Sequence, residues 1–255
     1  MKKGIYTGIG YPVPIEERMK LIKAAGFDFV CLNFEKDMEW SETSWENQVR
    51  LAGKYGLPVE AVHLTGTKMT NIWTDCEDAE FVTLRLTDEL RNLKALGLKI
   101  GVVHVSWGFE RPAAPSENAL NRFFRIAEAA EKYNVKVAFE NSVFAEHLHF
   151  VIDNVKSKNI GFCYDSGHEN AFTPNEDYLS AYGGRLFTMH LHDNNGDHDD
   201  HNIPFRGNID WNKKIGQIKN SSVKDCIILE VGVQKESLPE LIKMSAEAAD
   251  KLMEL

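Results

Sequence analysis

Six successive apolar runs of this chain close on a side chain that carries a charge or a lone pair: AVHLTG on His63, VVHVSW on His104, VAFENS on Glu140, GFCYDSGH on Asp165, TMHLHD on His190 and IILEVG on Glu230. Packing alone does not ask for this, because an ionisable group at the end of an apolar run loses solvation unless something compensates it. The pattern constrains the fold. A closed parallel barrel brings strand ends of one polarity to a single face, where the six groups would line one polar cup of the kind that holds a divalent metal.

The rest of the chain repeats the unit such a barrel needs. Short runs rich in Val, Ile and Phe alternate with longer segments of helical period, as in βα units on a parallel sheet. Eight strands are expected, at KGIYTGI, FDFVCLNF, VEAVHLTG, IGVVHVSW, KVAFENS, IGFCYDS, LFTMHLHD and DCIILEVG. Helices are expected to begin near Ile15, Ser44, Glu80, Glu117, Phe144, Asn175, Asp210 and Leu238, with glycine stops at AAGF, KYGL and ALGL. The expected fold class is α/β, a (β/α)8 TIM barrel in a single domain over residues 1–255, since a repeat of roughly 32 residues fits eight units into this length. An open doubly wound sheet would show a glycine-rich phosphate turn after its first strand, and GIGYPVP has no third glycine opening a helix. The longer irregular stretches, 35–43, 65–78, 107–116, 168–174 and 194–208, all follow strands and so belong to the face that carries the cup.

Composition narrows the partners. With 43% hydrophobic residues the chain can bury a full core, and its net charge of −9 argues against a ligand held mainly through phosphates, which takes Lys and Arg. Of four cysteines, none in a CxxC, Cys31, Cys163 and Cys226 lie in apolar runs, as buried thiols of a reducing compartment do. The opening MKKGIYTGIGYPVP has no continuous apolar core, and no stretch approaches the roughly 18 apolar residues of a membrane span. The expected location is the cytoplasm, with no membrane partner.

Glu140 and Glu230 end otherwise apolar strands, where an ionised carboxylate needs a cation or a proton beside it. Asp165 and His168 form a DxxH that can turn both side chains to one site, and His190 adds an imidazole from the seventh strand. An oxygen and nitrogen shell without thiolate suits Zn, Mn, Co or Mg, one ion or more. His63 and His104, at matching positions of neighbouring strands, are further candidate ligands. The loop HDNNGDHDDHNIPFRGNIDW brings His192, Asp193, His198, Asp199, Asp200 and His201; Asp199 and His201, a DxH pair beside the cup, are candidates to complete a second or third metal site, whereas His198 and Asp200 read as solvated. Trp107 and Phe109 are candidates to wall a substrate pocket. His147 and His149, on a predicted helix away from the strand ends, and Trp211, at the start of the seventh helix, read as packing or surface residues.

The segments FEN, CYDSGH, HLHDNNGDHDDH with its following GNIDW, and LEVG resemble the xylose-isomerase-like TIM-barrel superfamily, and the resemblance runs essentially the length of the chain. That superfamily includes sugar phosphate isomerases and epimerases, ketose 3-epimerases and endonuclease IV. The resemblance implies a core metal site of Glu140, Asp165, His190 and Glu230. It implies a divalent-metal-dependent sugar or sugar-phosphate isomerase or epimerase, in which Glu140 and Glu230 exchange protons with the carbon beside a carbonyl through a metal-stabilised enediolate and His168 hydrogen-bonds a substrate oxygen. Arg206 stands where the family has a glutamate before the glycine of the seventh loop, and is a candidate for a phosphate or carboxylate contact to the substrate. The endonuclease branch implies further metal ligands at His63, His104, His168, Asp199 and His201, all present, so a multinuclear metal phosphodiesterase is the rival class. Against nucleic acid, the loop EKDMEWSE carries Glu35, Asp37, Glu39 and Glu42, which would repel a phosphate backbone. A binding module without turnover is a third class, disfavoured because a purely structural metal site needs no pair of acid/base carboxylates. The expected partner is a small carbohydrate, and a homo-oligomer is compatible with the sequence.

Overall fold

The computed structural model describes residues 1–34 and 44–255, and the acidic segment EKDMEWSE lies outside them. All eight expected strands form: β1 (Lys2–Tyr6), β2 (Phe29–Asn33), β3 (Val59–His63), β4 (Ile100–His104), β5 (Lys136–Glu140), β6 (Ile160–Asp165), β7 (Leu186–His190) and β8 (Cys226–Leu229). They pair in parallel in chain order from β1 to β7, and β8 pairs with β1. A parallel bridge between Leu191 and Leu229 joins the two remaining edges: Leu191 N–H donates to Ile228 O at 2.9 Å and Glu230 N–H to Leu191 O at 3.1 Å. The sheet is a closed α/β TIM barrel.

Closure explains why the strands read as unbroken apolar runs, since both faces of a parallel barrel strand are covered. Val30, Val62, Val102, Ala138, Phe162 and Ile228, one from each of six strands, have no exposed surface. The outer layer is α1 (Ile15–Ala24), α2 (Trp45–Lys54), α3 (Glu77–Ala95), α4 (Glu117–Tyr133), α5 (Ala145–Asn154), α6 (Ser166–Phe172), α7 (Tyr178–Tyr182), α8 (Trp211–Ile218) and α9 (Leu238–Glu254). In α4 the buried Ala119, Phe123, Ile126, Ala127 and Ala130 recur at helical spacing, Ser116 caps the start by accepting from Ala119 N, and Asn134 ends it at φ +53°. The three expected glycine stops, Gly26, Gly56 and Gly97, sit at φ between +62° and +83°, a region closed to most side chains.

Two stretches expected to be irregular carry structure. Residues 168–172 are helical, because the Asp165 carboxylate accepts the His168 N–H at 2.7 Å and so caps α6. Between 65 and 78, Met69–Trp73 form a 3-10 turn that buries the Trp73 indole, whose Nε1 donates to Val105 O at 2.7 Å. No described helix is long and apolar enough to cross a membrane.

Candidate metal centre

Strand register delivers the candidate ligands. His104 pairs across the sheet with Glu140, and Asp165 with His190. Asn141, the residue after Glu140, clamps β5 to β6: its Nδ2 donates to Asp165 O at 2.8 Å and its Oδ1 accepts from Asp165 N at 2.7 Å. Donor atoms of Glu140, Asp165, His190 and Glu230, all buried, lie within 4.8 Å of one another, as do those of His63, His104 and Glu140. His190 Nδ1 is 3.1 Å from both Glu140 Oε1 and Glu230 Oε2.

Backbone carbonyls set the tautomers. His63 Nδ1 donates to Leu64 O at 2.9 Å, His168 Nδ1 to Asn141 O at 2.8 Å, and His201 Nδ1 to Glu230 O at 3.2 Å. A carbonyl only accepts, so the proton of each neutral ring is on Nδ1 and the lone pair is on Nε2. Those three Nε2 atoms, and with them the Nε2 of His104, point at carboxylates. His63 and His104 Nε2 stand 3.4 and 3.2 Å from Glu140 Oε2, and His168 and His201 Nε2 each stand 3.2 Å from Asp199 Oδ2. Lone pairs facing an anion at this range repel unless a proton or a cation lies between. Glu140 Oε2 and Asp199 Oδ1 are also buried without a hydrogen-bond partner. Oriented imidazoles and orphaned carboxylate oxygens fit a divalent ion, and the pattern occurs beside the main site twice; the buried Cys163 thiol also lies within 4.8 Å of donor atoms of Glu140 and His190.

The charged groups support one another electrostatically. Burial works against an ionised Glu140, yet His190 and His104 hold it well below the carboxylate range; burial likewise opposes ionised Glu230, and His190 and His201 bring it down to about 2. Burial disfavours a charged His201, but the Asp199 hydrogen bond raises it to about 9, and Asp165 and Asp199 raise His168 well above the ordinary value against its own burial.

The strand ends and loops bring all nine expected metal-ligating residues to one end of the barrel, where His63, His104, Glu140, His168, Asp199, His201 and Glu230 line a cavity of about 350 Å³ and Asp165 and His190 lie beside Glu140 and Glu230. Trp107 walls that cavity and stacks on His104 with ring centroids 5.3 Å apart. Phe109 does not line it; its ring is 74% exposed and rests edge-on against Phe172. Arg206, expected at the substrate, is instead held 2.9 Å from Glu236 and against Met244, outside the residues that line the cavity. The reason is a turn in the chain at Asp193. This fully buried carboxylate accepts from Asn194 N and Ile209 N at Oδ1 and from Phe205 N and Trp211 Nε1 at Oδ2, which bends the loop so that Asp199 and His201 face inward while Arg206 faces α9. Sequence reasoning assigned no role to Asp193, although a Trp at a helix start, needing an acceptor for its N–H, was a usable signal. His198 and Asp200 are exposed. His147 packs edge-on against Trp73, and His149 sits between Tyr182 and Glu176, both away from the cup.

Comparison with known proteins agrees with this architecture. The profile of the family described as xylose isomerase-like TIM barrel matches residues 19–253. A D-tagatose 3-epimerase-like protein superposes with a TM-score of 0.79 at 21% identity, covering 100% of this chain and 97% of that one. The structure of IOLI protein with a bound zinc atom superposes at 0.73 with 18% identity, covering 99% and 96%. The uncharacterized protein y4fM of Sinorhizobium fredii is 30% identical over 159 residues, 57% of this chain and 51% of that protein. The chain spans about half the length of the curated relatives it matches.

Proposed function

The chain belongs to the xylose isomerase-like TIM-barrel family, and from that premise we propose that it is a divalent-metal-dependent isomerase or epimerase of a sugar or sugar phosphate. One observation carries this: two strand-end carboxylates, Glu140 and Glu230, meet at His190 Nδ1, each 3.1 Å away, and both line a cavity large enough for a small carbohydrate. The likeness in fold to a D-tagatose 3-epimerase-like protein and to a zinc-holding relative supports it. Four unpaired cysteines fit the reducing cytoplasm expected for it.

Inverting a carbon beside a carbonyl, or moving the carbonyl by one carbon, requires one group to take a proton from that carbon and another to return it. Glu140 and Glu230 are placed to divide that work. The neighbouring imidazoles favour the ionised form of both, so either can act as the base, and the one that returns a proton must first take it up from solvent or substrate. The base removes the carbon-bound proton while the electron pair moves into the carbonyl; the other carboxyl, once protonated, gives its proton to the opposite face, or to the neighbouring carbon, as the pair returns. An ion held by Glu140, Asp165, His190 and Glu230 would supply the positive charge that gathers adjacent substrate oxygens and steadies the negative charge that develops on them. His168 and Trp107 line the cavity, where His168 would hydrogen-bond a substrate oxygen and Trp107 would offer a flat wall to the carbon face of a sugar ring. Glu140→Gln and Glu230→Gln should each abolish exchange of carbon-bound hydrogen with deuterated water, on a panel of ketoses, aldoses and their phosphates, while retaining part of the bound metal. Exchange that survives in both variants would sink the assignment.

A second class is favoured by one specific observation, the convergence of His63 and His104 on Glu140 and of His168 and His201 on Asp199. Neighbouring ions of that kind suit phosphodiester hydrolysis, where attacking and leaving oxygens are both clamped. Incision of an abasic-site duplex without hydrogen exchange on any sugar would decide for the phosphodiesterase.

A further inference from the structure

His192, whose ring has no exposed surface, has a donor atom within 4.8 Å of those of His201 and Glu230, so it stands either as a ligand itself or as the residue that holds its neighbours in place. Its Nε2 lies 3.1 and 3.2 Å from the two oxygens of Asp165 and 3.5 Å from Asp199 Oδ1, while its Nδ1 is buried without a partner. A ring nitrogen facing carboxylate oxygens is the donor, so the proton of the neutral ring belongs on Nε2. The two carboxylates come from different places: Asp165 ends β6, and Asp199 rides on the loop after β7. One face of the ring stacks on His201, with centroids 4.1 Å apart and planes 14° from parallel. The ring also presses on Gly167, where an added Cβ would fall 1.9 Å from His192 Cε1, so only glycine leaves the space the ring fills. Ser166 completes the clamp, its Oγ accepting from His192 N at 3.0 Å and donating to His192 O at 2.7 Å.

We propose that His192 is a positioning residue that ties the strand-borne metal ligand Asp165 to the loop-borne ligand His201, so that the two metal positions are held by one imidazole. This rests on the metal dependence proposed above. The Nε2–H spans the Asp165 carboxylate and fixes its rotation, and the stack fixes the His201 ring; loss of the N–H frees the first, and loss of the ring frees the second. Outer groups that orient ligands in this way are worth about 10–100-fold in metal affinity.

The test uses the full chain with Zn²⁺ in competition with a chromophoric chelator, and Co²⁺ for its visible spectrum. His192→Phe keeps the stack and most of the volume but has no N–H, and is expected to bind Zn²⁺ about 10–100-fold more weakly at unchanged stoichiometry, with an altered Co²⁺ spectrum. His192→Gln, whose amide N–H can reach Asp165 although it gives up the stack on His201, should recover the part of that loss that belongs to Asp165. Gly167→Ala, which displaces the ring from the α6 side, should show the same weakening and serves if the Phe variant does not fold. A Phe or Ala variant that binds as tightly as the wild type overturns the positioning role, as does a Gln variant no better than Phe. Loss of one whole ion with the remaining affinity intact would make His192 a ligand and overturn it too. If the wild type itself binds no Zn²⁺, metal dependence fails and takes this inference with it; tight wild-type binding with unaffected variants removes only the role of His192.

Discussion

At His63, His168 and His201 the backbone decides which ring nitrogen meets the site, because a carbonyl takes the Nδ1 proton of each. In the metal-free chain the carboxylates hold further protons on those rings: His63 and His168 are raised above the ordinary imidazole value despite their burial, and His201 is raised to about 9 by its Asp199 hydrogen bond against its burial. The sign follows. A raised pKa keeps the proton on the ring to higher pH, and an ion must displace that proton to bind, so Zn²⁺ binding should release protons and weaken as pH falls. Calorimetry in two buffers of different ionisation heat checks this, and an apparent enthalpy independent of buffer would contradict it. All nine ligand candidates were named from the sequence, because a charged group at the end of an apolar strand is conspicuous. Asp193 and His192 were not assigned, because what distinguishes them is enclosure, and a carboxylate surrounded by four N–H donors looks in sequence like any other acid in a polar loop. Arg206 was expected to face substrate and instead meets Glu236, since its direction depends on a bend that Asp193 makes thirteen residues earlier in the same loop.

Among elements, the segment between β7 and α8 and the start of α6 carry most of what is particular to this site. The loop presents Asp199 and His201 from a turn where His201 takes φ +47° and Asp193 pairs with Asn202 through both backbone hydrogen bonds. As proposed ligands, Asp199 and His201 would add to the cup without holding up the barrel. Replacing Asp199 and His201 together by Ala should therefore lower the metal count by about one ion per chain and leave the circular-dichroism spectrum and cooperative melt in place, because the four strand-borne ligands remain. An unchanged metal count would remove the loop from the metal centre and with it most support for a phosphodiesterase. The short helix α6 was hidden in sequence by the same residues that revealed the site: DSGH reads as a ligand pair, and it is at once an N-cap, with Asp165 accepting the His168 N–H while the carboxylate also faces the cup.

For the molecule as a whole, barrel closure through β1–β8 and the Leu191–Leu229 bridge buries an apolar core that includes Phe123, Phe139 and Phe162, which owes nothing to the metal. Chelation should lower the melting temperature without collapsing the helical spectrum. Metal at a hundredfold excess over its Kd should restore about 2.7 kcal/mol per site, the linkage expected when only the folded chain binds. Collapse of the far-ultraviolet spectrum on chelation would show instead that the metal holds the fold. The eight strands, their parallel order and the residues at their ends were legible in the sequence, because alternation of apolar runs with helical segments is a local pattern and a barrel is the arrangement that collects strand ends. Only the tertiary structure decided which nitrogen of each imidazole faces the cup, that two histidine pairs close on single carboxylate oxygens, that His192 lies between Asp165 and Asp199, and that Arg206 turns away. These are directions rather than identities. They are set by hydrogen bonds between residues distant in sequence, and local periodicity carries no information about them.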